Sequence, residues 1–129
     1  MVMSENVPQV LLVEDELLIR DLLQSALEDA GFEVAYANSG DAAIDLLQRA
    51  VGKLVGVVTD INLGSETNGW DVARAARRAD PRIAVIYMSG GSAHEWAAEG
   101  APGSAILTKP FAPAQLVVAL ATQLNNMGS

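Results

Sequence analysis

Five short, almost wholly apolar runs alternate along this chain with segments of helical periodicity, and few folds accommodate that alternation. Val10, Leu11, Leu12 and Val13 form the first run, with the character of a strand buried on both faces. Residues 16–30 follow, where Ile19, Leu22, Leu23, Ala26, Leu27 and Ala30 recur at helical spacing and predict an inward stripe. Gly31 stands where a helix-ending glycine belongs. Residues 32–37 predict a second strand, and 41–50 a second helix with Ala43, Ile44 and Leu47 inward. The third strand is 54–59, and Gly69 opens a helix that Asp80-Pro81 ends. Residues 83–88 form the fourth strand, 93–99 a short helix, 104–108 the fifth strand, and 113–125 the last helix, with Leu116, Val117, Leu120 and Leu124 inward. Strands alternating with helices predict an α/β fold with a parallel sheet covered on both faces. Right-handed crossovers make it doubly wound.

A chain of 129 residues has the size of one domain, expected over 1–129 with an ordered core at about 8–125 and loose ends. Half the residues are hydrophobic and 19% charged, which supplies a core and excludes a disordered chain. No cysteine is present and only one histidine, so a thiolate metal site is excluded and the composition argues against a histidine-built one. Eight Lys and Arg against sixteen Asp and Glu give a net charge of −8, which argues against direct nucleic-acid binding. Apolar runs such as 83–88 and 116–121 reach six residues, whereas a membrane span needs ~20. No basic stretch precedes an apolar run in MVMSENVPQV. A soluble, cytoplasmic protein without membrane contact is the expectation.

In an open parallel sheet, ligands bind outside the carboxyl ends of the strands. Glu14, Asp15 and Glu16 follow the first strand, Asp60 the third, Ser89-Gly90-Gly91 the fourth, and Lys109-Pro110 the fifth. Clustered carboxylates repel unless a cation joins them. One or two carboxylates with retained waters are what magnesium prefers. A carboxylate beside such a cation can serve as a nucleophile toward phosphorus. A lysine and a serine hydroxyl can then meet phosphoryl oxygens.

Read in order, VLLVEDE, VVTDINL, VIYMSGG and ILTKPF resemble the receiver domain of two-component response regulators, over roughly residues 8 to 125. The resemblance implies a flavodoxin-like (βα)5 fold with strand order 2-1-3-4-5, and a stand-alone switch in a phosphorelay. It implies Mg2+ as cofactor and, as donor partner, a sensor histidine kinase or phosphotransfer protein, with a further downstream protein. Matched position by position, Asp60 is the phosphoacceptor, Asp15 a direct magnesium ligand, and Glu14 the neighbouring acid that acts through water. The backbone carbonyl of Asn62 is the third protein oxygen, Ser89 the hydroxyl that moves toward the phosphate, and Lys109 the phosphate-facing lysine. A cis bond before Pro110 is implied too. The resemblance also implies a receiver that assists its own phosphorylation and dephosphorylation without being a conventional enzyme. It is expected as a monomer or weak homodimer, paired through the fourth helix, fifth strand and fifth helix.

The pattern departs from the common receiver in places. Gly64 stands where a proline is usual, and the helix-opening Gly69 comes one residue late, so the loop 63–68 is expected to be longer and more mobile. Ile106 replaces the Tyr or Phe that usually lies three residues before the lysine, so a ring-flip switch cannot operate there. Gly90, Gly91, Gly100, Pro102 and Gly103 crowd one segment with poor helix formers. That segment is expected to be labile and to change order on phosphorylation.

Plainer roles compete with these. Asp15 alone would read as a helix cap, and Ser89 before glycines as a turn residue. Glu16 suits a helix N-terminus, His94 a surface position, and Trp70 and Trp96 packing, with Trp96 also a candidate for a partner surface. Among functions, an aspartate-nucleophile phosphatase would place D-x-D after its first strand and carry a cap domain. A degenerate receiver acting only as a protein-binding scaffold is the third alternative, kept open by Ile106. A nucleotide-binding Rossmann domain lacks its glycine-rich loop here.

Overall fold

A computed structural model describes residues 7–50, 52–91 and 93–127. Five strands, β1 (Gln9–Val13), β2 (Glu33–Ala37), β3 (Leu54–Asp60), β4 (Ala84–Ser89) and β5 (Ala105–Thr108), form one sheet in the order β2-β1-β3-β4-β5. Every neighbouring pair is parallel. Helices α1 (Leu17–Asp29), α2 (Gly40–Arg49), α3 (Gly69–Ala79), α4 (Trp96–Glu99) and α5 (Pro113–Met127) connect or follow the strands, and a 3₁₀ turn, Ala93–Glu95, leads into α4. This is the doubly wound α/β order expected above. The residues expected as loose ends, 1–6 and 128–129, lie outside those described, and Asn126 belongs to α5.

The alternation of side chains along a strand divides the core into two layers. Leu11, Val13, Val57, Val85 and Tyr87 pack against Ala43 and Leu47 of α2 and Trp70, Ala73 and Ala76 of α3. Val10, Leu12, Val58, Ile86 and Met88 pack against Leu23 and Leu27 of α1 and Leu116 and Leu120 of α5. Each fully buried Leu or Val stabilises the fold by about 1.5–3 kcal/mol, and four of the five residues of β1, Val10 to Val13, are of this kind.

Local signals fix the helix ends. Gly31 follows α1 with φ +99°, a left-handed conformation that glycine adopts without a Cβ clash. Ser39 Oγ accepts from Ala42 N at the start of α2. Asn68 and Asp71 exchange side chain–backbone bonds in a capping box that opens α3. Asp80 is extended, as the residue before Pro81 must be, and α3 stops there.

The inward stripe of α1 is narrower than the sequence suggests. Leu23 and Leu27 are buried and Ile19 is half-buried, whereas Leu22 is 58% exposed and Ala30 is exposed too. Leu22 sits on the flank of a stripe spaced four residues apart, beside a shallow cleft shared with Pro110, Phe111 and Pro113. Among the described residues no helix is long and apolar enough to cross a membrane.

Candidate functional site

The carboxyl ends of β1, β3, β4 and β5 meet at one rim because all the strands run the same way. The backbone sets this rim before any side chain contributes. Glu14 N donates to Ala37 O (3.1 Å), Ile61 N to Met88 O (3.0 Å), and Lys109 N to Ser89 O (2.8 Å), so each strand end is tied to its neighbour. Gly69 N donates to Ile61 O (2.8 Å), which folds the start of α3 back over the end of β3. A Cβ at Gly69 would lie 2.7 Å from Ile61 Cα, so only glycine allows this approach.

Three carboxylates converge there. Glu14, Asp15 and Asp60 each place a ligand oxygen within 4.8 Å of the others. Glu14 and Asp60 are buried and Asp15 is exposed. Lys109 Nζ reaches across from β5 to Asp60 Oδ2 at 3.0 Å and to Glu14 Oε1 at 3.3 Å. The second oxygen of Glu14 accepts from Glu16 N at 3.1 Å. Ser89 is buried at the end of β4. Asn62 is exposed at the start of the loop after β3. The Lys109–Pro110 bond is cis, as the resemblance implied.

The electrostatics of this group are unresolved by its own charges. Burial raises the carboxyl of Asp60 above the ordinary carboxylate range; Lys109 pulls it down and Asp15 pushes it up again. Burial likewise raises Glu14, with the Glu16 amide and Lys109 opposing and Asp60 adding to the rise. For Lys109, burial lowers the pKa, but the hydrogen bond and charge of Asp60, joined by Glu14, outweigh it and leave the ammonium above its ordinary value. One cation is thus shared by two buried carboxylates with a third nearby. Such an all-oxygen cluster, with one exposed member, fits a hard divalent cation that keeps part of its water.

The loop that follows Asp60 is tied to the rest of the fold at Leu63 and at Thr67. Leu63 is buried, Thr67 Oγ1 donates to Asp41 Oδ1 of α2 (2.6 Å), and Ser65 Oγ donates to Thr67 O (3.2 Å). Gly64 has φ +73° and faces Asp15, its would-be Cβ 3.9 Å from Oδ2. A proline at this position would be excluded by that φ.

Residues 10–121 match the response regulator receiver domain family. The chain belongs to that family. A response regulator receiver protein from Sinorhizobium medicae WSM419, solved by crystallography, superposes with a TM-score of 0.91 at 43% identity, covering 95% of this chain and 98% of that one. Alginate biosynthesis transcriptional regulatory protein AlgB of Pseudomonas aeruginosa is 39% identical over 123 residues, which are 94% of this chain and 27% of AlgB. Response regulator receiver protein CpdR of Brucella abortus is 34% identical over 105 residues, 80% of this chain and 85% of CpdR. This chain therefore spans about a quarter of the length of AlgB and most of CpdR. Receiver domains are phosphorylation-dependent signalling domains rather than conventional enzymes; they bind Mg2+ through acidic residues and interact with sensor histidine kinases and downstream effectors.

The receiver's rim brings together Glu14, Asp15, Asp60, Ser89 and Lys109, all of them singled out from sequence. His94 lies apart on the exposed 3₁₀ turn. Sequence reasoning did not anticipate the ties around α4. Tyr87 is wholly buried on β4, its ring 4.7 Å from that of Trp70. Its hydroxyl accepts from Ala101 N at 3.0 Å. The one legible signal was a tyrosine in an otherwise aliphatic strand, since a buried phenol must find a partner.

Proposed function

We propose that this receiver is a switch in which Asp60 accepts a phosphoryl group from a phosphohistidine on a sensor histidine kinase or phosphotransfer protein. The observation that carries this reading is the meeting of Asp60, Glu14 and Asp15 within 4.8 Å, with Lys109 3.0 Å from Asp60. In the transfer, an Asp60 carboxylate oxygen bonds to phosphorus as the phosphorus–nitrogen bond breaks, and the imidazole leaves, taking its proton from water. Lys109 then presents its ammonium to a phosphoryl oxygen, and Ser89 its hydroxyl to another.

Asp15, Asp60 and the Asn62 backbone carbonyl would hold Mg2+ directly. The existing bonds of Glu14 to Lys109 and to the Glu16 amide favour its acting through water. The ion would offset negative charge as the phosphoryl group arrives. Leu17 and Leu22 (each 58% exposed) and Leu18 (84% exposed) on α1 give a phosphodonor an apolar surface beside the rim. A degenerate scaffold would have no use for so costly a cluster of buried charge, and this favours the switch.

Incubation with acetyl phosphate and Mg2+, followed by intact-mass measurement, tests the reading. The wild type gains the mass of one phosphoryl group only with Mg2+, and Asp60→Asn gains none. Rapid turnover of phosphate esters would favour a phosphatase, and an unlabelled wild type a scaffold.

A further inference from the structure

α4 is four residues long, and neither it nor the 3₁₀ turn before it has a buried side chain. Four residues cannot sustain a helix by their own hydrogen bonds, so what holds this segment in place is polar and local. Arg74 pairs with Glu99. Arg77 of α3 donates from Nη1 to Pro102 O (2.7 Å). Trp96 Nε1 donates to Ser104 Oγ (3.0 Å), whose hydroxyl donates to Ala101 O. These bonds bind the segment to itself or to α3. The bond from Ala101 N to the Tyr87 hydroxyl joins it to the side chain of a central-sheet residue.

Tyr87 is also placed to sense the rim. Side chains two residues apart on a strand share a face, so Tyr87 and Ser89 project from the same side of β4. Ser89 O accepts from Lys109 N, and Tyr87 is the register partner of Ile106. The β4 residue that ends at the acid cluster and the one that grips the α4–β5 turn therefore lie two residues apart on one face of the same strand.

We propose that the Tyr87 hydroxyl is the latch of the 96–104 segment, and that phosphorylation of Asp60 releases it through β4. This rests on the switch reading above and goes beyond it by naming the bond that transmits the signal. With Ile106 in place of an aromatic ring, the coupling runs through a tyrosine on β4, and its currency is one hydrogen bond to the Ala101 amide. Opening it frees the turn that carries Trp96, Ala101 and Ser104.

Hydrogen exchange of residues 96–104, followed by mass spectrometry, tests the latch, with parallel intact-mass measurement of phosphorylation. In the unphosphorylated wild type the segment is protected, and in the phosphorylated protein it exchanges roughly fivefold faster, as loss of one hydrogen bond implies. Tyr87→Phe removes only the hydroxyl: it exchanges at the faster rate without phosphate, accelerates no further with it, and still labels at Asp60. Ala101→Pro removes the donor and keeps the tyrosine, at a site where Gly100 is already extended (ψ 145°) as a residue before proline must be; it gives the same result. Equal exchange in wild type and both variants without phosphate overturns the latch. A labelled wild type whose exchange is unchanged overturns the coupling while leaving the switch reading intact. A wild type that takes no phosphoryl group overturns the switch reading and the coupling with it, and the unphosphorylated comparison still decides the latch.

Discussion

The ammonium of Lys109 donates to Asp60 Oδ2 at 3.0 Å, linking the ends of β5 and β3 across the rim. In the metal-free protein this bond does for the buried acids what a bound cation would do. Replacing Lys109 by Met leaves Glu14 and Asp60 buried without a countercharge. Loss of charge-assisted bonds of this kind costs about 1–3 kcal/mol, so Lys109→Met lowers the urea midpoint, and Mg2+ restores more stability to it than to the wild type. Urea titrations with and without Mg2+ check both statements.

The pH dependence follows from the raised carboxyls of Glu14 and Asp60. Folding favours their protonated forms relative to the unfolded chain. The stability they contribute is full below their unfolded-state values and is lost as pH rises through the raised folded-state values. Lowering the pH from neutral into the weakly acid range therefore stabilises the metal-free wild type relative to Asp60→Asn. Saturating Mg2+, which favours the ionised acids, removes that difference. Urea midpoints across this range for the two proteins give the comparison, and a wild type that loses ground to Asp60→Asn on acidification contradicts it.

Much of this was legible because position alone dictates it. The end of an apolar run marks the rim, so Glu14, Asp15, Asp60, Ser89 and Lys109 could be placed together from sequence. Asp80-Pro81 and Gly31 gave helix ends for the same local reason. What stayed hidden depended on packing between distant elements. Leu22 fits the helical period of α1 yet lies exposed, because two leucines and a half-buried isoleucine already fill the contact. The loop after Asp60 read as longer and more mobile, and nothing in its sequence signalled the bond from Thr67 to Asp41, a residue 26 positions earlier. The Tyr87–Ala101 bond joins a strand to a turn that carries no pattern of its own.

Gly69 is predicted to be the least replaceable glycine at the rim. A methyl group there would meet Ile61 Cα at 2.7 Å and the backbone of Asp60, so Gly69→Ala must displace the acceptor or the start of α3. Overpacking of this kind costs about 1–3 kcal/mol, and the yield of phosphorylation falls with it. Gly90→Ala, where a Cβ meets nothing within 4 Å, leaves stability within about 0.5 kcal/mol of wild type. Thermal melts and labelling yields of the two variants separate the cases.

Untying the loop should show in dynamics before stability. Thr67→Val removes the hydroxyl bonded to Asp41 and costs about 0.5–1.5 kcal/mol. Amide exchange over residues 62–68 rises, while α2 and β3 keep their protection. Unchanged exchange in the loop would mean that Leu63 and the Asn68 capping box hold it without the tie.

The central claim is that Asp60 takes the phosphoryl group, and locating the group after transfer from a phosphohistidine donor tests it most directly. Trypsin cuts after Lys53 and Arg74, which isolates Asp60 in the peptide 54–74, while His94 falls in a separate peptide beginning at residue 83. Label confined to 54–74 in the wild type, and absent from Asp60→Asn, is the predicted result. Label on the peptide bearing His94, or label that persists in 54–74 of Asp60→Asn, would contradict it.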